Sequence, residues 1–229
     1  EIMPSLVGSE MCIRDRFYKM KRQTKQNIPA VLEWLDRTYG VEKETFYHKQ
    51  HWQLLVAIML SAQSTDQQVE EALPALFERF PEAKDAADAP AEAIEEKIRS
   101  IGLYKSKAKN IKKCCTQIVE QYGGEVPADL DELVKLAGVG RKTATLFLAD
   151  AYGIPGVTVD THVFRISHRL GWADGKDPVQ TERELMKALP KEHWNRINFQ
   201  LIYHGRSVCT ARKAKCEQCG LNALCEKRL

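Results

Sequence analysis

Leu136-Ala137-Gly138-Val139-Gly140-Arg141-Lys142-Thr143-Ala144 joins two stretches of helical spacing through a turn too short for anything but a tight hairpin. Asp129 and Glu132 bracket the helix start on the upstream side, and residues 141–152 return to helical spacing on the downstream side. Two glycines flanking one valine let the backbone turn sharply and leave its amide N–H groups uncovered. The helix beginning at Arg141 meanwhile points its positive end at the turn. That geometry suits a phosphate, and backbone amides hold phosphate without reading base edges. Ordinary packing of a helix-turn-helix pair accounts for the same glycines.

Lys142 falls in the first turn of the downstream helix, where a cation is electrostatically disfavoured. An ordinary lysine is almost wholly protonated at neutral pH, so a nucleophilic one must be held neutral at a cost of about 4 kcal/mol. Burial in a cleft and a neighbouring cation such as Arg141 act in that direction. By spacing alone the simpler role is a phosphate contact. Asp160 follows the apolar Val157-Thr158-Val159 and precedes Thr161-His162-Val163, which is the position of an N-cap; a carboxylate at a cleft edge also stabilises a cationic sugar.

Working outward, helical spacing recurs almost everywhere and strand alternation almost nowhere, so the fold class is all-α. Val31, Leu32, Trp34 and Leu35 make an apolar stripe that ends near Gly40, and Trp52 to Leu60 is apolar on every side, as a helix in the middle of a core is. Thr65 and Gln68 form a capping box for a helix with Val69, Leu73, Leu76, Phe77 and Phe80 inside, although Pro74 conflicts with it. Ala93, Ile94, Ile98 and Ile101 give a short helix stopped by Gly102. Ala108, Ile111, Cys115, Ile118 and Tyr122 give another, stopped by Gly123 and Gly124. Residues 154–159 are too punctuated for a helix, and a new one begins at Asp160 or Thr161.

The 229 residues carry 34 Lys and Arg against 31 Asp and Glu, a net charge of +3, so distribution matters more than sum. Glu78 to Glu96 holds seven acids against two bases and should face away from any polyanion. Lys105 to Lys113 holds five lysines and no acid, and Arg206 to Arg228 six bases against two acids, which together suggest a phosphate-binding face. No run of about 18 apolar residues occurs, so no membrane span is expected. Residues 1–16 have no helical period and are expected to be a non-native or disordered extension, with Met20 the natural start.

Cys209, Cys216, Cys219 and Cys225 are spaced C-x6-C-x2-C-x5-C within 17 residues. Four thiolates at this spacing suit either a tetrahedral zinc ion or an iron–sulfur cluster, zinc being the generic choice. With seven cysteines and no secretory signal, a disulfide framework is not expected and a reducing cytoplasmic compartment is. Arg212, Lys213 and Lys215 lie in the loop between the first two cysteines, where a metal-closed loop displays them to phosphate.

LAGVGRKTA at 136–144, VDTHVFR at 159–165, LSAQSTD at 60–66 and the four-cysteine spacing together resemble the bacterial endonuclease III family, and the likeness runs from about Lys25 to Cys225. The resemblance implies the helix-hairpin-helix DNA glycosylase fold. A six-helix domain would cover residues 44–154, with the hairpin at about 129–152. A helical domain would join 17–43 to 155–229 around a [4Fe–4S] cluster on the four cysteines, with the DNA cleft between the two domains. Lys142 matches the family's Schiff-base lysine and Asp160 its catalytic aspartate. Gln63 and Leu103 match residues that enter the duplex, and Gly138, Val139, Gly140 and Arg141 the DNA-binding hairpin. Position 137 is Ala where the family often has Pro. The implied activity is that of a monomeric DNA glycosylase and AP lyase. It would take double-stranded DNA carrying oxidised pyrimidines or abasic sites and cut it 3′ to the lesion by β-elimination. Related glycosylases that remove adenine from mispairs lack an amine at the Lys142 position. A non-catalytic DNA clamp is the alternative from another class.

Overall fold

A computed structural model describes residues 27–41 and 50–227. The expectations for residues 1–16 and Met20 lie outside the described residues. Within those residues all regular structure is helical. Contacts divide the chain into two compact units: residues 44–156, and the segment up to 43 together with residues 157–229. Each has its own apolar core.

The 44–156 unit is built around α2 (His51–Ser61), whose residues Trp52 and Leu54 to Leu60 are all buried. A helix apolar on every side finds partners on every side, here α3, α6 and α8. The capping box forms at the start of α3 (Asp66–Arg79): Gln68 N–H donates to Thr65 Oγ1 at 3.3 Å, and Thr65 N–H to Gln68 Oε1 at 3.2 Å. Pro74 is accommodated inside α3 because it and Glu70, whose carbonyl it leaves without a helical donor, both face solvent. The acidic stretch folds into α4 (Ala83–Asp88) and α5 (Ala91–Lys97), both packed on α6 (Tyr104–Tyr122). α5 stops at Lys97, short of Gly102; Ile98 leaves helical geometry at φ −114°, ψ 20°, and buried Ile101 closes a turn by donating to Ile98 O at 2.9 Å. α6 ends at Gly123, whose φ of +64° lets the Gly124 N–H turn back to Ile118 O at 3.0 Å. α7 (Leu130–Leu133) is a single turn capped by Asp129, and α8 (Arg141–Tyr152) follows the hairpin. Among its described residues the unit thus has six longer helices and one turn.

The second unit holds α1 (residues 27–39), α9 (Thr161–Leu170), α10 (Pro178–Ala188), α11 (Trp194–Ser207) and the cysteine segment. Val31, Leu32 and Leu35 of α1 pack with Val163, Ile166, Leu185, Ile197 and Leu201. Asp36 ties α1 to α11: Arg196 donates through Nε and Nη2 at 2.9 Å each, and Gln200 Nε2 donates to Asp36 Oδ1 at 2.9 Å and to Gly40 O at 2.7 Å. The sequence marks the start of α10 by Asp177 before Pro178, and Asp177 Oδ1 accepts from Gln180 N at 2.9 Å. α11 is harder to see, because its buried face mixes Ile197 and Leu201 with Asn198, Gln200 and His204.

Candidate functional site

The hairpin between α7 and α8 has the geometry its glycines require. Gly138 sits at φ +77°, and a Cβ there would lie 2.8 Å from Asn110 Cβ and 3.0 Å from Met59 Cε, so both backbone and space exclude a larger residue. Gly140, the N-cap of α8, has an ordinary φ of −86° and open space around it. The N-cap Gly140 has no side chain to cap α8, which leaves the helix's positive end at the hairpin. Gly138 and Gly140 are exposed and Arg141 is half-buried. Val139 differs from them. Its side chain is buried in the core and its N–H donates to Leu136 O at 3.1 Å, so it braces the turn and offers no surface to a ligand.

Gln117 of α6 holds this hairpin from beneath, accepting from Ala137 N at 2.8 Å and donating to Lys135 O at 3.2 Å. Where a proline would stiffen the turn at position 137, this chain uses the Ala137 N–H that proline lacks. Lys142 is exposed, and its amine makes no hydrogen bond or ion pair to a described residue. The expected burial of the amine is therefore absent from this unit. The position is one helical turn from the hairpin tip, with the side chain free to reach a ligand seated on the α8 N-terminus.

Gln63 and Leu103 stand out by their backbone. Three non-glycine residues among the described ones have positive φ, and two of them are Gln63 at +56° and Leu103 at +60°. Left-handed backbone costs an L-residue roughly 1–2 kcal/mol, so the surrounding structure must impose it. Both side chains are exposed; Leu103 is 64% exposed, unusual for a leucine with a core beside it.

Only part of the lysine run from 105 to 113 is left for a phosphate-facing surface. Lys112 donates to the carbonyl oxygens of Ala87, at 3.0 Å, and Ala89, capping the C-terminal end of α4. Lys107 is likewise engaged with backbone at the end of α2, and its burial holds its ammonium below the usual lysine range. α6 has 3.6 residues per turn, so a charge run on it spreads around the helix. Lys105, Lys109 and Lys113 remain exposed.

In the other unit, Asp160 Oδ1 accepts from His162 N at 2.9 Å and Val163 N at 2.8 Å, capping α9. Its Oδ2 accepts no hydrogen bond from a described residue. Only one of its two carboxylate oxygens serves the helix.

Cys209, Cys216, Cys219 and Cys225 are free thiols lining one cavity of about 430 Å³, counting the space open to solvent. Among the described residues no three Cys, His, Asp or Glu side chains come together closely enough to hold a single metal ion. Four thiols lining one cavity are a donor set that accepts either a zinc ion or an iron–sulfur cluster. Donors already aim at them: Arg169 Nη1 lies 3.3 Å from Cys209 Sγ, and the Lys227 N–H donates to Cys225 Sγ at 3.3 Å. His204 stands between the Tyr39 hydroxyl, 3.0 Å from Nδ1, and Cys219 Sγ, 3.6 Å from Nε2. Burial pushes the Cys219 and Cys225 thiols up and the His204 imidazole down to about 4.

Two arginines of the VDTHVFR region and its extension pin this segment, a role the sequence did not disclose. Arg165 Nη2 donates to Cys209 O at 3.0 Å, and Arg169 donates to Thr210 O at 2.8 Å and Ala211 O at 3.1 Å. Their i, i+4 spacing on α9 was the available signal. Arg212 and Lys213 are exposed and their side chains bond to no described residue. Lys215 is exposed but donates to Ser207 O at 3.2 Å.

A family model for the HhH-GPD superfamily of base excision DNA repair proteins matches residues 56–191. The chain is 47% identical over 202 residues to endonuclease III of Synechocystis sp., which covers 88% of this chain and 92% of that protein. It is 46% identical over 181 residues to endonuclease III of Bacillus subtilis, covering 79% and 83%. A solved structure of a trapped endonuclease III–DNA covalent intermediate, an estranged-adenine complex, is similar with a TM-score of 0.80 at 42% identity, over 89% of this chain and 96% of that one.

Proposed function

The chain belongs to the HhH-GPD superfamily of base excision DNA repair proteins, as a DNA glycosylase and AP lyase of the endonuclease III kind, and from that premise we propose that Lys142 is its covalent nucleophile and oxidised pyrimidines its substrates. One observation supports this above the others: an exposed amine that bonds to no described residue, beside a helix N-terminus whose N-cap is a glycine without a side-chain cap. The first amides of α8, with Gly138 and Gly140, hold a DNA phosphate, and DNA laid over them supplies the exclusion of water that the free chain lacks around Lys142. Its substrate places the protein with the chromosome, in the bacterial cytoplasm, where it acts as a monomer.

The damaged nucleotide leaves the stack at a cost of a few kcal/mol, which is lower for a damaged base. The neutral Lys142 amine then attacks the sugar C1′, the glycosidic bond breaks and the base departs with a proton. The C1′–O4′ bond then breaks, O4′ taking a proton from solvent, to give an iminium between Nζ and C1′, which acidifies the C2′ proton. Loss of that proton expels the 3′ phosphate, and water releases the lysine. Asp160 contributes Oδ2 to stabilise the positive charge that develops on the sugar, while Oδ1 stays with α9.

Cys209, Cys216, Cys219 and Cys225 hold a [4Fe–4S] cluster in this reading. When bound, the cluster supplies a rigid closure of the 209–225 loop, and that loop presents Arg212, Lys213 and Lys215 to DNA phosphates. Visible absorption of the purified protein tests the group, since zinc is colourless.

Borohydride reduction during reaction with thymine-glycol DNA should trap a covalent protein–DNA complex. Lys142→Gln should abolish the trapped species while leaving salt-sensitive DNA binding in place. A trapped species of undiminished yield in Lys142→Gln would show that another amine is the nucleophile.

A further inference from the structure

Lys107 commits all three protons of its ammonium to one short loop. Nζ donates to Leu60 O at 2.8 Å, Ala62 O at 2.7 Å and Ser64 Oγ at 2.8 Å. These acceptors bracket Gln63 on both sides. The backbone of the same lysine meets the other wedge position, because its N–H donates to Leu103 O at 3.0 Å. The two loops also touch directly: a Cβ built on Gly102 would stand 3.4 Å from Gln63 O. One residue therefore joins Gln63 and Leu103, the two exposed non-glycine residues on left-handed backbone among the described residues of the 44–156 unit.

We propose that Lys107 is a positioning residue that sets Gln63 and Leu103 as a two-pronged wedge, and thereby governs extrusion of the damaged nucleotide and not the bond-breaking steps. The proposal rests on the reading that Gln63 and Leu103 enter the duplex. Leu60 and Ala62 lie at the C-terminal end of α2, where carbonyls lack helical donors and a cation is favoured, so the ammonium belongs there on electrostatic grounds. Helix capping alone would need one or two of these bonds. The third, to Ser64 Oγ, reaches past Gln63 and fixes the loop on its far side. Together the three bonds flank Gln63, whose φ of +56° must be imposed by its surroundings.

The test compares two substrates. Lys107→Met keeps the length of the side chain and removes its donors. Excision from duplex DNA containing thymine glycol should slow by about tenfold or more, because the base must be drawn from the stack. Cleavage of duplex DNA with a pre-formed abasic site, which has no base to extrude, should change several-fold less. A protein that had merely lost stability would lose both activities together, and an equal loss on both substrates overturns the proposal, as does no loss on either. Gln63→Ala and Leu103→Ala are run beside it. If they slow excision and Lys107→Met does not, the positioning role fails alone; if they leave excision unchanged, the wedge reading fails and takes the proposal with it. Should Lys107→Met not fold, Lys107→Arg carries the comparison, since it keeps the charge at the end of α2 but cannot set three donors on the same acceptors.

Discussion

At the first turn of α9 the two oxygens of Asp160 have separate partners, two amides on Oδ1 and no described residue on Oδ2. A pair of substitutions can divide the two duties. Asp160→Asn keeps a side-chain oxygen for the cap and removes the charge, so the unfolding free energy should move by less than about 0.5 kcal/mol while strand cleavage is lost. Asp160→Ala should lose cleavage and about 1 kcal/mol of stability as well. Equal destabilisation by both in chemical denaturation would show that the charge, not the cap, holds the α9 start. The sequence supplied both candidate roles for Asp160 but not their division, because nothing in a linear pattern says which oxygen a cap occupies. Lys142 was legible in the same partial way. Its place beside the glycines was plain, whereas its exposure follows from the path of α8 and not from its neighbours in sequence.

At the scale of elements, helices whose burial is carried by apolar side chains were legible, and those held by polar ones were not. α2, α3, α6 and α8 follow their apolar spacing, with bounds set by Thr65, Gly123 and the hairpin. α11 hides its inner face behind Asn198, Gln200 and His204, and its main tie to α1 is the pair of bonds from Arg196 to Asp36. The lysines of α6 misled for a related reason: three-dimensional partners, the carbonyls ending α2 and α4, absorb Lys107 and Lys112. Asp36 gives a pH test of this polar packing. Burial alone would raise its carboxyl, but the hydrogen bonds from Gln200 and Arg196 and the charge of Arg196 outweigh burial and hold it below the usual carboxylate range. The folded protein thus binds this proton less readily than the unfolded chain does. Its contribution to stability is present above the ordinary carboxylate value of ~4 and is lost as pH falls through the lower folded value. Asp36→Asn should lower stability at neutral pH by about 1–3 kcal/mol and flatten the acid limb of the stability curve. An acid limb of unchanged steepness in the variant would assign that limb to other carboxylates.

At the scale of the whole molecule, the two units are assembled differently. The 44–156 unit is one continuous segment, whereas its companion draws together parts of the chain as far apart as Asp36 and Arg196, separated by 160 residues. Their cores share no residue, so each is expected to answer to damage of its own packing. Leu35 is fully buried in the discontinuous unit, in the same core against which Cys209, Cys219 and Cys225 pack. Leu35→Ala should cost about 2–5 kcal/mol there. Amides that exchange by opening of that unit should then exchange about 30-fold to several thousandfold faster, since each 1.4 kcal/mol is a factor of ten. Hydrogen exchange read by mass spectrometry should show the acceleration in residues 27–39, 161–170 and 194–207 and leave 51–61 and 104–122 unmoved. If the four cysteines hold the proposed cluster, a chelator should act on the same unit by another route, because closure of the 209–225 loop would back the same core. Its effect should begin in that loop and spread to α1 and α11, with α2 again protected. Acceleration of both units together under either treatment would mean that they open as a single cooperative body despite their separate cores.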